Sequence, residues 1–128
     1  GFKLWTKQLG TPLYDSANGL AIDSSDNIYV TGFTQGNLYT YVGGKDVFLV
    51  KYNSNGTKQW TRQFGAPSFF QKSQYNSSSQ AVSSEDEGKK VSIDSGGNIY
   101  LTGNTQGGLD GNSNSGKEDI FLIKYKSM

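Results

Sequence analysis

Residues 27–38 read NIYVTGFTQGNL and residues 98–109 read NIYLTGNTQGGL. Nine of the twelve positions are identical across a separation of 71 residues, and Val30/Leu101 exchanges one apolar residue for another. Self-similarity of this length marks a repeat architecture, in which each copy is one supersecondary unit that buries its apolar surface against a neighbour. Upstream, GLAIDSSDN (19–27) matches KVSIDSGGN (90–98) at the same separation. Downstream, KDVFLVKYN (45–53) matches EDIFLIKYK (118–126) at 73, and KQWTRQFG (58–65) matches KLWTKQLG (3–10) at 55. The changing separations place two insertions in the later copy: 16 residues within 67–88 and two within the loop 109–119.

Each matched block reads as a strand. In NIYVTG, Ile28 and Val30 share one face while Tyr29 and Thr31 share the other. Leu20 and Ile22, like Val91 and Ile93, alternate with other residues. DVFLVKY (46–52) is apolar on both faces, as a strand between two sheets must be. In KQWTRQFG, Trp60, Arg62 and Phe64 share a face opposite Thr and Gln, which predicts a strand at a sheet edge. DSSDN (23–27) and DSGGN (94–98) are Asx- and Gly-rich turns, and NSNG (53–56) carries an Asn-Gly hairpin signal. The unit is therefore four antiparallel strands, a–b–c–d, the size of one propeller blade.

The run D-x-x-x-N-I-Y-[VL]-T-G, then D-[VI]-F-L-[VI]-K-Y, then W-T-[KR]-Q-[LF]-G, resembles the SBBP-type β-propeller repeat of secreted and surface proteins of bacteria. The resemblance covers nearly the whole chain outside 67–88. It implies an all-β fold of β-propeller blades, an extracellular or cell-surface location, and no particular reaction. The earlier copy departs from it at YTYVGG (39–44), where the later copy has DGNSNSG (110–116).

The order of the blocks predicts one repeat module over 1–128: an outer strand at 3–10, a full blade at about 19–65, an inserted loop at 67–88, and a three-stranded partial blade at about 90–126. The last blade lacks an outer strand and the first segment is an outer strand without a blade. Two blade equivalents are too few to close a propeller, which has about 4–8 blades. An open strand edge invites pairing with another chain. The expectation is that residues 3–10 of one copy complete the last blade of another. A trimer or tetramer then closes a ring of six or eight blades, and a filament forms if the rotation does not close.

Composition bounds the chemistry. The 128 residues include 17 Gly and 2 Pro, with a mean hydropathy of −0.59. A net charge of +1 offers no electrostatic footprint for nucleic acid, and no apolar run is long enough to span a membrane. The chain has no Cys and no His, removing the thiolate nucleophile, the disulfide and the commonest general base and metal ligand. We therefore expect a non-enzymatic scaffold or binding surface without a cofactor, its ligand an unidentified protein or glycan. The rivals are a glycan-binding propeller, a strand-donating extracellular filament subunit, and a carboxylate-based glycan hydrolase or lyase, which would need an acidic pair in a cleft.

Asp110, Asn112 and Asn114 have the 1, 3, 5 spacing of a calcium loop, but the Gly comes seventh, as Gly116, and Phe121 stands where a bidentate Glu belongs. The competing reading is a polar turn. The Ser- and Gln-rich 67–88 segment reads as a mobile loop, in which Phe69, Phe70 and Tyr75 offer stacking surfaces or cover a blade edge. Trp5 and Trp60, Tyr29 and Tyr100, and Phe48 and Phe121 recur at one register, which favours packing over ligand stacking. Asp46 and Asp119 read as strand-start residues, and Glu85, Glu87 and Glu118 as loop residues. NGT (55–57) and NSS (76–78) are glycosylation sequons.

Overall fold

The described residues form nine strands, and alternating apolar residues between polar turns build the seven long ones. A computed structural model of the chain describes residues 1–67, 69–72, 79–82 and 84–127. β1 (Asp15–Ile22), β2 (Ile28–Thr34), β3 (Asp46–Tyr52) and β4 (Lys58–Phe64) form an antiparallel sheet in chain order. β5 (Phe69–Lys72) and β6 (Ser79–Val82) pair as a hairpin. β7 (Asp86–Ile93), β8 (Ile99–Thr105) and β9 (Asp119–Tyr125) form a three-stranded antiparallel sheet.

The second large sheet repeats the first register for register. Val30 faces Val50 and Leu101 faces Ile123, and a bulge falls at the same place, between Ala17 and Gly19 and between Gly88 and Lys90. The bulge pushes the backbone of the first strand against the second. A Cβ at Gly32 would overlap the Ser16 carbonyl oxygen and one at Gly103 that of Glu87, so the T-G of the repeat requires glycine.

The joints repeat as well. Asp23 accepts hydrogen bonds from the Ser25 and Asn27 N–H groups, the Asn27 amide and the Tyr29 hydroxyl. Asp94 does the same with Gly96, Asn98 and Tyr100. Burial and the Asp23 bond push the Tyr29 hydroxyl up to about 12. In the hairpin turn, Asn53 Oδ1 accepts from the Asn55 and Thr57 N–H groups, and Gly56 takes a φ of 80°.

The core lies between the two sheets. Tyr29, Val47 and Leu49 of the first meet Val91, Ile99, Leu101 and Phe121 of the second. Phe64 stands edge-on to Phe121 at 6.2 Å and Trp60 edge-on to Tyr29 at 6.1 Å. The Phe64–Phe121 pair brings the outer strand β4, predicted at a sheet edge and found there, into the inter-sheet contact.

Two expectations change. The 67–88 segment is not a loop throughout: it contains β5 and β6, and β7 begins at Asp86, because a buried carboxylate fixes the strand start there. Glu87 accordingly lies in β7, paired with Lys45 at 3.0 Å and with Lys89, while Glu85 bridges to Lys45. Residues 3–10, expected to pair with another copy, form no strand ladder within their own chain. Tyr75 and the side chains of Phe69 and Phe70 fall outside the described residues, and with them the stacking surface expected there.

Candidate functional site

The connection from an outer strand to the next blade is a carboxylate clamp, made twice. In the second blade, Asp86 Oδ2 accepts the Ala66 N–H at 2.9 Å, and Asp86 Oδ1 accepts the Thr105 hydroxyl at 2.5 Å. In the first, Asp15 Oδ2 accepts the Thr11 N–H at 2.7 Å, and Asp15 Oδ1 accepts the Thr34 hydroxyl at 2.5 Å. Thr11 follows LG (9–10) as Ala66 follows FG (64–65). The N-terminal segment is therefore held against the first blade just as β4 is held against the second.

Its side chains agree with that placement. Trp5, Lys7 and Leu9, the counterparts of Trp60, Arg62 and Phe64, face the outer side of the first sheet. Trp5 Nε1 donates to the Ser54 carbonyl at 3.2 Å, which anchors the indole on the β3–β4 turn. Between this segment and Leu20, Val30 and Phe48 lies a cavity of about 380 Å³. Residues 3–10 thus lie against the outer face of the first sheet, held there at Trp5 and Thr11.

The two sheets bury opposite faces. Val47 and Leu49 are 0% exposed, while their counterparts Ile120 and Leu122 are 87% and 74% exposed. Conversely, Val91 and Leu101 are buried, and their counterparts Leu20 and Val30 line the outer cavity, Leu20 being 60% exposed. Each open face repeats one half of the contact made inside the chain.

Residues 4–40 and 59–110 match the family described as SBBP, beta-propeller repeat. The chain belongs to this β-propeller repeat family. Both matched spans begin on the Trp-bearing segment and run through the second strand of a blade, so residues 4–10 count within a repeat. No curated protein matches the chain.

Four of the polar residues singled out in the sequence hold the backbone of these propeller blades. Asp46 accepts the N–H groups of Val42 and Gly43, and Asp119 accepts that of Ser115, the strand-start role expected of both. Asp110 is exposed, with a φ of 50°. The Asn112 amide donates to the Leu109 carbonyl at 2.8 Å and Asn114 Oδ1 accepts the Gly116 N–H at 2.8 Å, so both act as turn-makers. Among the described residues no three acidic side chains gather as a metal site, and no helix is long and apolar enough to cross a membrane.

Burial pushes the Asp86 carboxyl above its usual range, against the hydrogen bonds from Thr105, Ala66 and Ser84. It faces Asp46, and a Cβ added at Gly65 would collide with Asp46 Oδ1 and Asp86 Oδ2 together. Both carboxylates are buried and committed to protein donors, so this acidic pair opens to no cleft. Sequence reading missed Asp15, Asp86 and Gln63. The signal for the first two was present, since Asp15/Asp86 and Thr34/Thr105 keep the separation of 71.

Proposed function

We propose that this chain is a non-catalytic β-propeller module that serves as a scaffold and binding surface outside the cytoplasm and assembles head-to-tail. Residues 3–10 of one copy complete the β7–β9 blade of another. The observation that carries the reading is the burial asymmetry: Leu49 is fully buried while its counterpart Leu122 is 74% exposed. Apolar surface of this kind favours a neighbour, since burying one Leu side chain is worth about 1.5–3 kcal/mol. The open face with Ile120 and Leu122 matches in type the face that covers Leu20, Ile28 and Val30 in the repeat. One association covers both faces and supplies β9 with an outer strand. The absence of His and Cys, and the commitment of Asp46 and Asp86 to backbone and amide donors, support a non-catalytic role.

The test is light scattering on the intact chain. The expected mass is three or four times 13.9 kDa for a closed ring, or a polydisperse filament if the rotation does not close. A folded species of 13.9 kDa at micromolar concentration overturns the reading.

A further inference from the structure

Gln63 is a buried residue whose carboxamide spends its full hydrogen-bonding capacity on its own blade. Its Nε2 donates to the Gly36 carbonyl at 2.8 Å and to Asp46 Oδ2 at 3.0 Å. Its Oε1 accepts from the N–H groups of Leu38 at 2.8 Å and Tyr39 at 2.9 Å. From the outer strand β4 it thereby ties the loop after β2 to the start of β3.

The second blade carries the receiving groups without the glutamine. Gly107, Leu109, Asp110 and Asp119 are the counterparts of Gly36, Leu38, Tyr39 and Asp46. Asp119 holds the Ser115 N–H at 2.8 Å as Asp46 holds that of Val42 at 2.7 Å, so the carboxylate stands in the same role. Among the described residues neither the Leu109 N–H nor the Asp110 N–H has a hydrogen-bond acceptor, although Leu109 is buried. These four residues line one cavity of about 320 Å³ beside Phe121 and Leu122. The counterpart of Gln63 in the repeat is Gln8, an exposed residue of the N-terminal segment.

We propose that this cavity is a receptor for one side chain, the carboxamide of Gln8 from a second copy of the chain. The inference rests on the head-to-tail reading and adds the residue that makes it selective. A carbonyl (that of Gly107, which also takes the Thr105 hydroxyl at 3.2 Å), a carboxylate and two N–H groups around one cavity call for a planar group with two donors and two acceptor lone pairs, which a carboxamide supplies. A carboxylate has no proton to donate and would stand against Asp119, and an ammonium has nothing to accept the two N–H groups. The register is consistent. Gln63 lies opposite Phe48 and Arg62 opposite Leu49, which puts Gln8 opposite Phe121 and Lys7 over the exposed Leu122.

The test compares the intact chain with Gln8→Glu, Asp119→Asn and the double variant by analytical ultracentrifugation, with circular dichroism to confirm that each folds. Gln8→Glu removes two donated hydrogen bonds and sets a second carboxylate beside Asp119, and is expected to weaken association at least about a hundredfold. In the double variant the amide introduced at position 119 can donate to the carboxylate introduced at position 8, and most of the association returns. In parallel, Lys7→Cys and Leu122→Cys chains are mixed and oxidised; the parent has no cysteine, so a mixed disulfide reports this strand register alone. If the parent chain associates and Gln8→Glu associates equally well, or stays weak in the double variant, the receptor is overturned while the head-to-tail reading stands. An associating mixture without the mixed disulfide also overturns it. A monomeric parent overturns both.

Discussion

The main-chain N–H of Ala66 donates to the Asp86 carboxylate at 2.9 Å, joining the end of one blade's outer strand to the start of the next blade. Asp86 is fully buried and also receives the hydroxyls of Thr105 and Ser84. Asp86→Ala leaves three donors without an acceptor and is expected to lower unfolding free energy by about 3 kcal/mol or more. Because burial raises its pKa, its charge opposes folding at neutral pH, so Asp86→Asn should be much milder than Asp86→Ala. Urea denaturation of the two variants checks the order.

Asp94 responds to pH in the opposite sense. Hydrogen bonds from the Asn98 side chain and main chain hold its pKa down to about 2, from 3.8. A carboxylate with a depressed folded pKa contributes stability that is complete above its unfolded value and lost as pH falls through the folded one. The Tm of the parent should therefore decline between pH 3.8 and about 2, and Asp94→Ala should flatten that part of the curve. An unchanged slope in the variant would show that the turn does not depend on the charge.

Leu49 and Leu122 hold one repeat position in two environments. Leu49→Ala is expected to destabilise the fold by about 3 kcal/mol, within the range for buried leucine truncation. Leu122→Ala should change the unfolding of the isolated chain by less than about 0.5 kcal/mol, as surface substitutions do. It should nevertheless weaken self-association, and denaturation together with sedimentation separates the two effects.

β5 and β6 pair only with each other among the described strands. Replacing residues 68–83 with a short Gly-Ser linker is expected to leave stability within about 1 kcal/mol, since loop closure depends weakly on length. The excision must stop short of Ser84 and Asp86, both fully buried. A loss of several kcal/mol in thermal unfolding would place the hairpin in the core.

With the Asn112 amide and Asn114 Oδ1 committed to the turn, millimolar calcium is expected to leave the Tm unchanged. A rise that Asp110→Ala abolishes would instead establish a calcium site, because a ligand of the native state alone stabilises it.

The sequence by itself determined the repeat, its strand order and its joints, because these rest on local chemistry. Alternation sets which residues share a face, and Asp23 and Asp94 close their turns within six residues of themselves. The departure of 3–10 from its own blade was legible too, as a block out of order. Only the tertiary structure decided which copy of each position is buried. Leu49 and Leu122 carry the same side chain, and a neighbouring sheet covers one and not the other. It also decided that Gln63, read as the polar face of an edge strand, is a buried anchor, and that Asp86 clamps Ala66 across 20 residues. Burial and hydrogen-bond satisfaction are set by what surrounds a side chain, and residues distant in sequence supply those surroundings.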